Sequence, residues 1–500
     1  MDSTKPTISS AASNPETVQS NCLEKQLWVE QKASKALERL GPLLACGFAL
    51  CLPLSLSACY AMLIPLIMLW LLSYGRCIGA ELRASQSITA PFLFFIAAYA
   101  LSAPFGVDPM RSLRAIPPTL FFAVTILAIK HVAMRWSAVR ILLALMLGQG
   151  LAALHTVVSA GLPTTIPPVF LGAVTESGQL GLVTVVLAGL VFSGEHTNRQ
   201  QGTSDRSAFF SWRTLSASAL CTSLLLLPAV IPALPKFSLI LWGALAIGVL
   251  CAVWHSALLL RELSRGIFTG IHSPFAAKNQ SPSRRVAELL LLGILPLLLA
   301  ALILNLKRGP WMGVFIAGTL FLGVYRPRIL VPLLCAVAAA YFTLAPVRQR
   351  IAEIPEHFYI SGGRSVMWDI GVELATRYPL GVGLRNSRFL QSFSPDIPTN
   401  LNHFHNNYLN ILVEGGWLAL AFFCWWLINI LRMAFEREGA TALPLLAASI
   451  GAAIVSWQIA GLVEYSWGDS DVRILVYLLV GILAALSARE SCYRVAPNRP

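Results

Sequence analysis

The stretch His403-Phe404-His405-Asn406-Asn407-Tyr408-Leu409 lies between a long polar segment and a strongly apolar one. It places two imidazoles and two carboxamides where a bilayer, water and a polar ligand can meet. We predict that Asn406 or Asn407 caps the helix that follows the histidines. The positive end of that helix disfavours an imidazolium and favours an anion nearby. His405 is therefore expected to stay neutral and able to accept a proton.

Two other interpretations of the histidine pair remain open. His403 and His405 could ligate zinc, but no third ligand stands at a diagnostic spacing, and we assign no metal and no cofactor. His405 could also be a purely structural residue.

Arg308 stands in Asn305-Leu306-Lys307-Arg308-Gly309-Pro310-Trp311, a very short connection between two apolar runs. A single basic residue at a helix end commonly extends its charge to the membrane surface and does nothing else. Gly309 and Pro310 permit a sharp turn here, and the planar fork of an arginine suits phosphate oxygens. Both interpretations of Arg308, anchor and phosphate ligand, stay open.

The polar segment 347–407 contains further arginines that could line an anion site. Arg364 follows a Ser-Gly-Gly turn and begins a predicted amphipathic helix that ends near Tyr378-Pro379. Arg385 follows the glycine-rich turn Gly381-Val382-Gly383, which is a weak phosphate-loop signal on its own. Arg377 and Arg388 are better explained as a solvated face balanced by acidic neighbours. We therefore name Arg308, Arg364 and Arg385 as candidate anion ligands.

Composition defines the protein class. Of the 500 residues, 56% are hydrophobic and only 12% are charged, and apolar runs recur at the length that crosses about 30 Å of hydrocarbon. The sequence predicts an all-α, polytopic bundle of twelve to fourteen transmembrane helices. The net charge of +13 does not indicate nucleic-acid binding, because the basic residues are scattered between the apolar runs. We expect no cleaved signal peptide and, from the cysteine spacing, no disulfide framework.

The predicted organisation has five parts: a cytoplasmic tail over 1–41, transmembrane helices over 42–346, a polar loop over 347–407, transmembrane helices over 408–488 and a cytoplasmic tail over 489–500. The fourteen expected spans are a tight pair in 42–75 turning near Ser55–Ala58, then 89–104, 115–130, 139–159, 177–194, 214–234, 237–260, 286–306, 309–325, 328–346, 408–431, 442–463 and 472–488.

The distribution of basic residues predicts the orientation. Most of the 37 lysines and arginines fall in segments that this assignment makes cytoplasmic, as the positive-inside rule requires. Lys307-Arg308, the 347–407 loop and the segment from Glu464 to Asp471 then share the external face. The loop is longer than a simple connection needs to be.

Three blocks resemble the O-antigen ligase and polymerase superfamily of bacterial envelope glycosyltransferases. They are Lys307-Arg308-Gly309-Pro310-Trp311, the segment Gly363-Arg364 to Gly383 with Trp368 and Pro379, and the His403–Leu409 block followed by Glu414-Gly415-Gly416. Their order and external placement match that family. Lys307 replaces the family's usual serine, and no arginine is present in 172–179, where a second phosphate-binding arginine is expected.

This resemblance implies transfer of a glycan from an undecaprenyl-diphosphate carrier to an acceptor hydroxyl at the periplasmic face of the inner membrane. It implies that His405 is the general base, supported by His403 and Asn406, and that Arg308, with Arg364 and Arg385, binds the diphosphate. The activity implied is an inverting, metal-independent O-antigen ligase acting on lipid A–core in lipopolysaccharide biosynthesis. The expected partners are the carrier-linked donor, the lipid A–core or carrier-linked acceptor and membrane lipids.

Two alternatives remain. A polymerase would join repeat units while both are carrier-bound, and the sequence does not separate it well from a ligase. A transporter of lipid-linked glycans would use charges buried within the spans, and the spans here are poor in acidic residues.

Overall fold

The computed structural model describes residues 15–135, 138–161, 173–200, 212–230, 238–269, 284–359, 364–393, 402–436 and 443–495. Within these ranges the secondary structure is helical, without strands. The prediction of an all-α polytopic protein is confirmed.

The described residues of the first half of the chain form nine α-helices: α1 Pro15–Cys51, α2 Leu56–Tyr74, α3 Ile78–Ala84, α4 Gln86–Ser102, α5 Pro109–Arg135, α6 Ala138–Gly161, α7 Ala173–Gln200, α8 Trp212–Val230 and α9 Ser238–Thr269. The second half forms ten more: α10 Arg284–Leu289, α11 Leu295–Leu304, α12 Arg308–Tyr325, α13 Pro327–Thr343, α14 Ala345–Ala352, α15 Ile354–Tyr359, α16 Arg364–Arg377, α17 Asn407–Phe435, α18 Pro444–Ala460 and α19 Ser470–Val495. One π-helical segment over Leu290–Ile294 joins α10 to α11.

Nine helical segments among the described residues are long and apolar enough to cross a membrane. The count becomes ten if α13 and the 345–356 segment, which meet at 87°, form one span. The predicted spans outside these nine are also helical and correspond to α1, α8, α12, α13 and α18. α8 and α18 are shorter apolar helices. The total number of membrane crossings therefore stays a prediction.

The first pair of spans differs from the prediction. α1 extends from Pro15 through most of the predicted cytoplasmic tail, and its turn into α2 lies at 52–55 and not at Ser55–Ala58. Ser55 ends this turn because its side chain accepts a hydrogen bond from the Ala58 N–H and so caps α2.

α18 and α19 are well-buried helices, and the segment that connects them contributes Glu464. α18 packs against α7 and α12, while α19 packs against α5, and α17 packs against α4. Aromatic side chains fill the space between them, including Phe95, Phe423, Trp426 and Trp467, whose rings contact one another at centroid distances of 5.2–6.1 Å. This packed layer supports the segment 461–469 between α18 and α19.

The polar segment contains the short helices that the sequence predicts. α14, α15 and α16 follow one another, and α16 ends at Arg377, as expected for the amphipathic helix. Met367, Leu374 and Ala375 on α16 are buried with Val382, Phe404 and Val413 in a small second hydrophobic core. The loop is thus a folded layer, attached to the end of α17 by its own apolar contacts.

α17 is broken at Gly416, which has φ +73°. At the break, backbone N–H and carbonyl groups of α17 lose their usual hydrogen-bond partners within the helix. The turn 379–383 supplies replacement partners. The N–H groups of Val382 and Gly383 donate to the carbonyls of Val413 and Glu414, and the Trp417 N–H donates to the Pro379 carbonyl, at 2.9–3.1 Å. The glycine turn and the Glu-Gly-Gly block therefore form one structural unit.

Replacing Gly416 with alanine should lower the free energy of unfolding by about 1–3 kcal/mol, because φ is in the left-handed region and a Cβ would clash with the Pro379 and Leu380 backbone. Thermal unfolding of the detergent-purified protein measures this effect. Gly243→Ala is the matched control, since nothing lies within 4 Å of a Cβ at that position. Equal melting temperatures for both variants would contradict this account of the break.

Candidate active site

The junction before α17 is held by two asparagines. Asn406 is the N-cap of α17, and its side chain accepts a hydrogen bond from the Leu409 N–H at 3.0 Å, which confirms the predicted cap. The buried Asn407 binds the 461–467 segment at three points. Its N–H donates to the Gly461 carbonyl at 2.7 Å, its Oδ1 accepts from the Trp467 N–H at 2.9 Å, and its Nδ2 lies 3.5 Å from Ser466 Oγ. α17 and the α18–α19 connection are thereby locked together.

The two histidines lie immediately before this cap. Their rings meet edge to face with centroids 4.2 Å apart. The His405 backbone N–H donates to His403 Nδ1 at 3.2 Å, so His403 Nδ1 is unprotonated in this arrangement and any ring proton is on Nε2. His405 has φ +49°, an uncommon backbone conformation for a non-glycine residue.

His405 faces the carboxylate of Glu464. His405 Nδ1 lies 4.0 Å from Glu464 Oε2 and is buried without a hydrogen bond. The other Glu464 oxygen, Oε1, accepts a hydrogen bond from Arg364 Nη2 at 3.2 Å. A small movement would let His405 Nδ1–H donate to Glu464 and leave Nε2 unprotonated, as in other carboxylate–histidine pairs.

Arg308 lies beside this pair and is largely buried, with 11% of its side chain exposed. Its Nε donates to the Arg350 carbonyl at 2.7 Å, and its Nη2 donates to Glu353 Oε2 at 3.2 Å. Arg350 also bonds to Glu353, at 3.0 Å. Because Gly309 packs against Ala460, Val463 and Glu464, the start of α12 is pressed against the same 461–467 segment that Asn407 holds.

These contacts produce a site with surplus positive charge. Burial raises the pKa of Glu464, and the nearby cations that oppose this effect are Arg364, Lys307, Arg308 and Arg350. Four basic side chains thus surround a site whose paired carboxylates are Glu353 and Glu464. The excess of cations suits a ligand with two negative charges, such as a diphosphate diester.

Burial lowers the pKa of both histidines to about 4. The neighbouring His403 and the cations Arg364 and Lys307 lower the pKa of His405 further, and Arg364 lowers that of His403. Both imidazoles are therefore neutral near pH 7. His405 is in the protonation state that a proton acceptor requires, as the sequence predicts.

The structure brings together His405, His403, Asn406, Arg308 and Arg364, but places Arg385 elsewhere. Partial burial lowers the pKa of Arg385, and its charged neighbours are Arg473, Glu414, Tyr465 and Arg388. Arg385 lines a cavity with Asp108, Arg111 and Arg114 at the start of α5. Its predicted role beside the other two arginines has no geometric support, and Gly363 of the same motif lies outside the described residues.

Sequence reasoning missed Glu464, Arg350 and Asn407 as site residues. Glu464 had a recognisable signal, since it is an acidic residue in a short connection between two apolar runs on the predicted external face. Arg350 acts through a contact distant in sequence, to Leu306, and no local pattern marks it. The sequence indicates Asn407 only as a candidate helix cap, and its contacts with the 461–467 segment could not be seen in the sequence. Within the described ranges, no three His, Cys, Asp or Glu side chains are grouped so as to hold a metal ion.

An apolar groove of about 590 Å³ leads away from Arg308. α7, α11, α12 and α13 form its walls, and α14 and α15 contribute at the end near Arg308. The side chains that line it are almost all aliphatic or aromatic: Val185, Leu187, Val191, Leu299, Leu302, Trp311, Phe315, Phe321, Leu333, Ile351 and Ile354 are among them. A buried guanidinium at one end of an apolar groove is the arrangement expected for an amphiphilic anion.

Left-handed backbone conformations occur in the same segments. Among the described residues, the non-glycine residues with positive φ are Leu306, Arg385 and His405, at 54°, 64° and 49°. Each stands in or beside one of the three blocks that the sequence singles out. Such conformations persist where surrounding contacts enforce them, and they cluster at functional sites.

Residues 293–424 match the family model described as O-Antigen ligase. The matched segment contains α12, the polar segment and the first part of α17, and therefore includes Arg308, Arg364 and His405. This match confirms the resemblance to the O-antigen ligase superfamily. It supports a glycosyl-transfer role of the ligase or polymerase type, and the apolar helices support a multi-pass membrane protein. No curated protein matches the chain.

The depressed histidine pKa values predict how stability depends on pH. An unfolded histidine titrates near 6.5, whereas His403 and His405 in the folded protein titrate at about 4, so the unfolded chain binds more protons between these values. Their contribution to stability should be fully present above about pH 6.5 and be lost as the pH falls towards 4. Melting temperatures of the wild type and of His403→Gln/His405→Gln across pH 4–8 test this prediction. A double variant with an unchanged pH slope would contradict it.

Proposed function

We propose that this chain, a member of the O-antigen ligase superfamily, transfers a glycan from an undecaprenyl-diphosphate carrier to a hydroxyl of lipid A–core. The observation that carries the proposal is the juxtaposition of a neutral His405, which faces Glu464 at 4.0 Å, with the surplus of cations at Arg308, Arg350, Arg364 and Lys307. A proton acceptor and a diphosphate site are the two features that such a transfer needs.

The apolar groove supplies the place for the carrier lipid. With its diphosphate at Arg308, a polyisoprenyl chain would extend between α7, α11, α12 and α13, whose side chains offer only apolar contacts along most of the groove. A cavity of about 590 Å³ holds part of a long chain, and the rest would remain in the bilayer. Binding of the apolar tail would thus position the charged end of the donor beside the histidines.

In the proposed reaction the acceptor hydroxyl oxygen attacks the anomeric carbon, and the bond from that carbon to the phosphate oxygen breaks. The diphosphate leaves with the electron pair, and the guanidinium of Arg308 stabilises its charge. Arg308 is pre-oriented for this task by the Arg350 carbonyl and by Glu353. One direct displacement inverts the configuration of the anomeric carbon, and the step as written uses no metal ion.

The proton of the hydroxyl passes to His405 Nε2 once a small movement of the ring lets its Nδ1–H donate to Glu464 Oε2, which lies 4.0 Å away in the structure. A pKa of about 4 is low for a base, but Arg364 and Lys307 contribute to that value in the absence of donor. An anionic diphosphate beside these cations would offset their effect and raise the pKa of His405. The donor would therefore strengthen the base at the moment when it is needed.

We place this site on the periplasmic face of the bacterial inner membrane. The distribution of lysines and arginines favours this orientation, since it puts the basic connections in the cytoplasm. The His403–Leu409 block, Lys307-Arg308 and the 461–469 segment would then all face the periplasm.

Replacing His405 with glutamine should lower kcat about 10²–10⁴-fold with little change in donor binding, because glutamine can form hydrogen bonds but cannot accept a proton at neutral pH. An assay of glycan transfer from the carrier-linked donor to lipid A–core, in detergent or proteoliposomes, measures this change in kcat.

His403→Gln is the matched control and should have the milder effect, since His403 Nδ1 is occupied by the His405 N–H. Near wild-type transfer by His405→Gln would exclude general-base catalysis by this residue. Chain extension by the wild type without lipid A–core would identify a polymerase.

Replacing Arg308 with lysine should lower kcat/KM for the donor at least about tenfold, because lysine keeps the charge but loses the planar fork. The protein should still be recovered from the membrane in normal amounts. Arg348→Lys, at an exposed position of α14, is the matched control and should keep full activity. Full activity of Arg308→Lys would show that Arg308 is a membrane-surface anchor only.

A further inference from the structure

A second basic cavity lies at the start of α5, separate from the cluster around Glu464. It has a volume of about 360 Å³ and is lined by Asp108, Arg111, Arg114, Ala115 and Arg385. Three guanidinium groups therefore share a cavity that contains a single carboxylate. Its polar, positively charged lining distinguishes it from the apolar groove beside Arg308.

The fold builds this cavity by attaching the 381–386 turn to the first turn of α5. Ser112 Oγ donates to the Leu384 carbonyl at 3.1 Å, and Asn386 Nδ2 bonds to Ser112 Oγ at 3.1 Å. Asn386 and Ser112 are fully buried. Arg385, between these attachment points, is held at φ +64° and reaches α5 from the polar segment. Residues far apart in sequence are thus fixed at one position by a buried hydrogen-bonded contact.

The positive charge of the cavity is only partly compensated. Asp108 Oδ1 accepts the Arg111 N–H at 2.9 Å, which caps α5 and uses part of the capacity of this carboxylate. The Arg111 guanidinium lies over the Phe389 ring at 5.2 Å, a contact that leaves the nitrogen atoms at its edge available. Arg114 and Arg385 are exposed. Basic residues are disfavoured in short external connections. The presence of two arginines in the predicted external segment 105–114 therefore favours an anionic ligand there.

One aromatic residue, Tyr465, is a neighbour of both the histidine pair and the cavity. The Tyr465 ring contacts His403 with centroids 5.4 Å apart, and Tyr465 is among the charged and polar neighbours of Arg385. A molecule that extends from the histidines past Tyr465 would therefore reach Arg385 and then α5. The proposed donor diphosphate is accounted for by Arg308, which does not line this cavity.

We propose that this cavity binds a phosphate group of the acceptor glycolipid and so positions its hydroxyl towards His405. The inference rests on the proposed function for the identity of the acceptor. Arginine forks bind such anions through paired hydrogen bonds, and three of them converge here from two separate elements. Binding of the acceptor at this cavity and of the donor at Arg308 would align the two substrates across the histidine pair.

The test compares the wild type with Arg111→Gln/Arg114→Gln in nanodiscs of phosphatidylcholine. Two probes are titrated: phosphorylated lipid A–core and the same lipid A–core after phosphatase treatment. The double variant should bind the phosphorylated probe about tenfold more weakly and the dephosphorylated probe as well as the wild type does. In transfer assays the KM for the acceptor should rise, while the KM for the donor stays constant. Arg377→Gln, an exposed arginine on α16, is the matched control.

Equal binding of the phosphorylated probe by the wild type and the double variant would overturn the proposal. Displacement of that probe by phosphatidylglycerol at the same concentration would also overturn it, because the cavity would then be a site for ordinary lipid headgroups. If the single variant Arg114→Gln reproduces the loss with an unchanged melting temperature, misfolding is excluded. Phosphate-dependent binding without any glycan transfer by the wild type would support an anionic glycolipid site and refute the proposed reaction.

Discussion

The site depends on the hydrogen bonds of one buried side chain, Asn407. Its amide and backbone join the first turn of α17 to the connection between α18 and α19, and this contact determines where Glu464 stands relative to His405. α12 is pressed against the same connection at Gly309, so Arg308 takes its position from it as well. One short segment thus positions a histidine, a carboxylate and an arginine that come from three parts of the chain. The aromatic layer beneath, with Trp467 at its centre, keeps that segment rigid.

A second constraint is the exchange of backbone hydrogen bonds at Gly416. The break in α17 exposes carbonyls in a region where water is scarce, and unpaired backbone groups there would be costly. The 379–383 turn pairs with them and is thereby fixed to the helix end. The same turn continues into the buried contact of Asn386 with Ser112 on α5. Hydrogen bonds therefore fix the polar segment to α17 at one place and to α5 at another. Its arginines are held by these contacts.

Features with a local cause could be predicted from the sequence. The apolar runs, the helix that ends at Arg377 and the Asn406 cap each follow from periodicity or from the chemistry of neighbouring residues, and the structure has all three. The pairing of Glu464 with His405 and Arg364 could not be predicted, because it is set by the packing of helices about 60–100 residues apart in the chain. Arg385 illustrates the same limit. Its glycine-rich surroundings are visible in the sequence, but only the attachment to α5 shows that it lines a cavity with Arg111 and Arg114.

The excess of cations over carboxylates around Glu464 has a consequence for the resting protein, since four basic side chains face Glu353, Glu464 and the neighbouring Asp469. Electroneutrality requires that the excess charge attract mobile counterions whenever no donor is bound. Chloride or inorganic phosphate from the surrounding solution would then occupy the region near Arg308, and each arriving donor would have to displace them. The apparent affinity for the carrier would consequently fall with ionic strength, although partly buried charges are screened less than exposed ones. Competition with small anions does not affect the apolar tail of the proposed donor. Contacts of this tail with the apolar groove would therefore maintain binding at high ionic strength.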